Sequence, residues 1–138
     1  MVINKKLSIR TNGNCDMIDI TKQVEKEIYN SDLNSGIATI FITGSTAGLS
    51  TIEYEGGLIN DYKNMWDRTI PSNTDYAHNL RWGDGNGHSH LRATLQGPSL
   101  VIPFVNKKLV LGTWQQIVVM DFDNRSRSRD IFLQLMGE

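Results

Sequence analysis

Apolar and polar residues alternate with a period of two in several separate stretches of the chain, and with a helical period in others. Leu7 and Ile9 oppose Ser8 and Arg10, which predicts a strand from Val2 to Arg10. Asn12-Gly13-Asn14 marks a turn. Ile20, Val24 and Ile28 recur at helical spacing, with Asp19 or Thr21 as the cap of a helix that runs to about Asn30. Gly36 to Thr43 is rich in β-formers and reads as the next strand, broken by Gly44-Ser45-Thr46-Ala47-Gly48. Leu49 to Tyr54 resumes an extended pattern, and Leu58 to Arg68 reads as a second helix after Gly56-Gly57. Tyr76 to Gly87 lacks any period and is expected to be a long ordered loop. His88 to Gln96 reads as a third helix, ended by Gly97-Pro98. Three β segments follow: Ser99 to Val105, Leu109 to Asp123 and Ser128 to Met136. Strands dominate and do not alternate regularly with helices. The expected class is therefore α+β, a mainly antiparallel sheet with about three helices.

Composition narrows the setting. The 138 residues suit one domain, expected to span residues 1–138 without linkers or repeats. With 39% hydrophobic and 21% charged residues the chain has globular rather than disordered composition. No apolar run reaches the roughly 20 residues that a membrane helix needs, so no membrane partner is expected. The first ten residues lack the continuous apolar stretch of a signal peptide. A single cysteine, Cys15, cannot form an internal disulfide, which fits a reducing compartment, and a cytoplasmic location is expected. Cys15 itself reads as an incidental loop thiol. Fourteen basic against fifteen acidic residues leave no excess of positive charge for general nucleic-acid binding.

Candidate chemistry concentrates in one segment. His78, His88 and His90, the only histidines, fall within thirteen residues of one another, beside Asp84, Asn86 and Arg92. Imidazole is the commonest transition-metal ligand and a general acid or base near neutral pH. Histidines at i and i+2 do not share a helix face, so His88 and His90 converge only if the His88 end is still loop or strand. Hydrogen-bonded structural histidines are the plain alternative.

Thr43 to Gly48 offers small residues and the hydroxyls of Ser45 and Thr46, which could cradle a phosphate or form a tight turn; it lacks the Gly-Lys-Ser/Thr of a P-loop. Glu53 is a candidate acid, base or ligand, or part of a solvated strand face. Arg125, Arg127 and Arg129 alternate, either to clamp phosphate or to protect a sheet edge. Trp114 is expected in the core, with stacking on a flat ring as the other use.

Ser45-Thr46-Ala47-Gly48, Tyr76-Ala77-His78-Asn79, Asp84-Gly85-Asn86-Gly87-His88-Ser89-His90-Leu91, Leu111-Gly112-Thr113-Trp114-Gln115-Gln116 and Asp121-Phe122-Asp123 with Arg127 and Arg129 together resemble the YjbQ-like family over nearly the whole chain. One departure is that many members carry His where this chain has Gly44. The resemblance implies a compact α+β fold, a homotrimer and thiamine phosphate synthase activity. It also implies a divalent metal, zinc or magnesium, at His78, His88 and His90, and no organic cofactor. In that role His78, His88, His90, Glu53 and Asp84 would be catalytic. Ser45, Thr46, Asn86, Arg92, Trp114, Arg127 and Arg129 would bind a small phosphorylated metabolite. The alternative is a trimeric protein that binds a metal or such a metabolite without turnover.

Overall fold

The structure, a computed structural model, describes residues 1–138. In chain order its elements are β1 (Val2–Thr11), β2 (Asp16–Asp19), α1 (Thr21–Tyr29), β3 (Gly36–Ile42), β4 (Ala47–Glu53), α2 (Gly56–Thr69), α3 (Ala77–Trp82), α4 (Gly87–Gln96), β5 (Ser99–Val105), β6 (Lys108–Leu109), β7 (Gln115–Asp121) and β8 (Arg127–Gly137). They form a five-stranded sheet, β1-β8-β3-β5-β6, and a three-stranded sheet, β2-β7-β4. Every strand pair is antiparallel. The α+β class and the antiparallel pairing expected from sequence are present.

The layers follow from the period-two pattern. Ala38, Ile40, Ile42, Ile102, Phe104, Ile131, Leu133 and Leu135 cover the inner face of the larger sheet. They pack on Ile117, Val119, Ala47 and Leu49 of the smaller sheet, and α1 closes the layer with Ile20, Val24 and Ile28. A second core lies on the other face of the smaller sheet. There Val118, Met120 and Phe122 meet Trp66 of α2 and Ala93 of α4. Strand β7 is thus buried on both faces, which is why Ile117 to Met120 is a continuous apolar run rather than an alternating one.

Four helices form, one more than expected. Tyr76 to Gly87 is not all loop: α3 occupies Ala77–Trp82 and ends at Gly83, which takes a left-handed conformation with φ 68°. Helix α3 buries no residue, so it leaves no apolar period to read. The segment expected as one strand from Leu109 to Asp123 is split between β6 and β7. Between them Trp114 stands 71% exposed and is not in the core. The short strand β2 pairs with the end of β7 and was hidden by its polar flanks. Cys15 is buried, with φ 64°, and packs in the second core, where burial pushes its thiol up to about 11. It stands in the turn between β1 and β2, as expected, with its side chain buried and inert.

Candidate active site

The polar centre of the molecule lies where the ends of both sheets meet. Asp121 ends β7, Asp123 follows it, Arg127 and Arg129 open β8, Thr46 precedes β4 and Thr11 ends β1. Both aspartates are fully buried. Arg129 makes a two-pronged bond to Asp121, Nε to Oδ2 at 2.7 Å and Nη2 to Oδ1 at 2.9 Å. Its Nη2 also donates to the Thr46 hydroxyl at 2.6 Å. Thr11 donates to Asp121 from the other side at 2.5 Å. Arg127 donates from Nε to Asp123 at 2.7 Å, and the Thr46 hydroxyl adds a bond to the same oxygen at 3.1 Å.

Burial alone would raise the Asp123 carboxyl. Bonds from the Asn124 N–H, Arg127 and Asn86 outweigh it and hold the group below the usual carboxylate range. Arg127 and Arg129 do share one face of β8, as alternation predicts, but β8 lies between β1 and β3 and is not a sheet edge.

The α3–α4 segment folds over this centre. The Asn124 side chain donates to the Asp84 carbonyl at 2.7 Å, and Asn86 Nδ2 donates to Asp123 at 3.4 Å. With its Nδ2 committed to a carboxylate, Asn86 presents Oδ1 to His78 Nε2 at 3.1 Å. This chain of bonds makes Nε2 of His78 the donor to Asn86.

His78 and His90 stack, their ring centroids 4.4 Å apart and tilted by 54°. Asp84 lies 3.9 Å from His78 Nε2. The two rings line a cleft of about 350 Å³ with Tyr76, Ala77, Gly87 and Leu91. Burial, and then the neighbouring His78, push the His90 imidazole below its usual value, so its neutral form is favoured.

His88 goes elsewhere. Helix α4 already begins at Gly87, so His88 and His90 project about 200° apart around its axis. His88 turns inward and is buried, its Nδ1 without a partner and its Nε2 3.4 Å from the Ser89 hydroxyl. Burial, and then Arg92, push it down as well. Arg92 is also buried. Its Nε and Nη2 bond the Ile70 carbonyl at 2.9 and 2.8 Å, with Asp67 at 3.4 Å, which ties the end of α2 to α4.

Of the residues singled out in the sequence, the fold therefore gathers His78, His90, Asp84, Asn86, Thr46, Arg127 and Arg129. Ser45 sits at the exposed rim of the Thr46 loop. Glu53 and Trp114 lie far away. Glu53 pairs with Gln115 while Ala47 pairs with Asp121, so Glu53 is six residues, about 20 Å, along the strand from this centre.

Asp121 and Asp123 are the residues that sequence reasoning left out of the site. Their signal was available, since two acids at alternate positions close the most apolar run in the chain. No three His, Cys, Asp or Glu side chains are grouped so as to hold a metal ion. The pair His78 and His90 with Asp84 on one side does not make a closed metal site within one chain.

Fold and site define a class, a two-sheet antiparallel α+β domain with paired imidazoles set over buried Asp–Arg pairs. The chain belongs to the YjbQ-like UPF0047 protein family, whose profile matches residues 5–138. A UPF0047 protein of Methanothermobacter thermautotrophicus is 35% identical over 137 residues, 99% of this chain and 94% of that one. The crystal structure of a family protein of unknown function from Sulfolobus solfataricus superposes with a TM-score of 0.94 at 34% identity, covering 100% of this chain and 99% of that one. An uncharacterized family protein from Clostridium acetobutylicum gives 0.87 at 34% identity, covering 96% and 99%.

Proposed function

We propose that this chain is a transferase for a small phosphorylated metabolite held in the His78/His90 cleft, with thiamine phosphate synthesis as the concrete reaction. The observation that carries this is the imidazole pair at 4.4 Å lining a cleft of metabolite size. His78 is oriented by Asn86, and Asn86 by the Asp123 carboxylate. His90 favours its neutral form and can accept a hydrogen bond from the bound substrate; the attacking thiazole nitrogen carries no proton to remove. Joining a hydroxymethylpyrimidine pyrophosphate to a thiazole phosphate forms a carbon–nitrogen bond and expels pyrophosphate. That leaving group needs positive charge. Arg127 is the available donor, since its guanidinium makes one hydrogen bond, from Nε, and is partly exposed. Arg92 is spent on the Ile70 carbonyl and is not used. The metal that the resemblance implies lacks a third ligand here, and no step is assigned to it.

A second reading has one observation in its favour. Gly44 brings no titratable side chain to a position where the family resemblance implies His, which suits a protein that binds a phosphometabolite without turnover. Product formation from the two precursors, with His78→Ala, separates them. The enzyme reading expects turnover to fall about 100-fold or more while ligand affinity stays within a few-fold. Absence of product from wild-type protein that still binds phosphate esters by calorimetry would establish the binding protein instead.

The assembly proposed with either reading is a homotrimer in the cytoplasm. Its support is the outer face of the large sheet, where Phe41 pairs with Phe132 and Ile37 with Met136, all four exposed.

A further inference from the structure

The loop after β3 holds donors that the imidazole cleft does not use. The backbone N–H groups of Gly44, Ser45 and Thr46 make no hydrogen bond within the protein. They come in sequence directly after Thr43, whose own N–H is bonded to the Asp130 carbonyl. A second cleft, of about 310 Å³, opens beside them between this loop and α4. Gly44, Ser45, Ala47, Ala93, Thr94 and Pro98 line it, and none of these is acidic.

Arg129 lies against Gly44. Its Nε and Nη2 are committed to Asp121 and Thr46. Nη1 makes no hydrogen bond, and although the residue is buried this nitrogen is not sealed from solvent. It lies 2.5 Å from the position that a Cβ on residue 44 would occupy. Gly44 has φ 119°, a conformation that side chains rarely adopt. The guanidinium edge therefore stands directly against Gly44, in the place that a side chain on residue 44 would fill. The carboxylates nearest to it, Asp121 and Asp123, are fully buried behind it and bonded to Nε, Nη2 and Arg127.

We propose that this second cleft seats a tetrahedral oxyanion, the phosphoryl group of a phosphate monoester. Consecutive free N–H groups form an anion-binding concavity, and the Arg129 guanidinium against Gly44 adds positive charge beside it. The Ser45 side chain adds a hydroxyl at the rim. Thr94 follows His90 by one helical turn and donates to its carbonyl at 2.7 Å, so the two clefts adjoin along the exposed side of α4. The rise between them is roughly 6 Å, short enough for one small ester to reach both. The ester's organic end rests on the phosphometabolite reading above; the oxyanion seat does not.

The test titrates inorganic phosphate into the intact protein, followed by calorimetry and by amide chemical shifts. The seat requires the signals of Gly44, Ser45 and Thr46 to move most. Thr94→Glu, on the helix surface, places a carboxylate in the cleft and should weaken phosphate binding roughly tenfold or more, while Thr94→Gln leaves it nearly unchanged. His78→Ala should bind inorganic phosphate as the wild type does, even where turnover is lost. Shifts centred on His78 and His90, equal effects of the two Thr94 variants, or no binding would overturn the seat. Phenyl phosphate distinguishes an ester from free phosphate. Binding tighter than inorganic phosphate supports the ester; equal binding overturns that assignment. Failure to make thiamine phosphate with phosphate binding intact would sink the activity and leave the seat in place.

Discussion

Asp121 and Arg129 neutralise one another inside the protein, and removing either leaves a buried charge without its partner. Arg129→Met is expected to cost about 3–5 kcal/mol, read from urea denaturation, and Asp121→Leu added to it should recover much of the loss. Gly44→Ala meets both a left-handed φ and the Arg129 guanidinium. A destabilisation of about 1–3 kcal/mol follows, with the midpoint shift in the same assay as its measure.

The histidines give a pH dependence of known sign. His88 and His90 are both held below their usual value in the folded protein, chiefly by burial. Between their folded values and about 6.5 the unfolded chain binds more protons, so stability rises with pH across that window. It is lost on acidification below about 6.5. Thermal midpoints should fall from pH 7.5 to 5.5, and His88→Gln should flatten the fall; a slope unchanged in that variant would remove His88 from the account. At this scale the sequence showed where titratable groups cluster, but not which of them meet. The pairing depends on where α4 starts, and a shift of its first residue would re-aim both histidines.

The element that positions His78 is α3, and it is held by few bonds. The Asn79 side chain accepts from the Gly87 N–H at 2.9 Å and so caps the next helix, α4. The Tyr76 hydroxyl donates to the Pro71 carbonyl at 2.6 Å. Asn79→Ala should cost about 1 kcal/mol, as a lost N-cap does, and speed amide exchange from residue 77 to 90. Exchange unchanged there would mean that α3 is held by something other than this cap. Strand β8 was legible because alternation persists over its whole length, and β3 because it is rich in β-formers. Helix α3 was not, because six residues with no buried side chain have no pattern to show. The two ends of α2 were legible in part, and Glu55 explains why it starts at Gly56. Its carboxylate accepts from the Gly57 and Leu58 N–H groups, which a glycine pair alone would not have foretold.

On the scale of the molecule, the large sheet has one face in the core and one that carries Phe41, Phe132, Ile37, Met136 and Val101 to the outside. An obligate trimer would bury such a face, with roughly 2,000 Å² or more in total. Light scattering should give three chains per particle for the wild type and smaller particles for Phe41→Lys/Phe132→Glu. A monomeric wild type at micromolar concentration would reject the homotrimer.

Read alone, the sequence carries the class of fold, the antiparallel strands with a buried face and the segment in which the histidines cluster. Those depend on short-range periodicity and on residue type, which any window of the chain displays. Tertiary structure alone decided which groups form the site. Asp121, Asp123, Arg127, Arg129, Thr46 and Thr11 come from four separate strand ends. They meet because the register of β7 with β4 sets Asp121 opposite Ala47, and that of β1 with β8 sets Thr11 opposite Arg127. The same register carried Glu53 to the far end of the sheet, and the turn between β6 and β7 put Trp114 in solvent. Register is a relation between distant segments, and no local pattern encodes it.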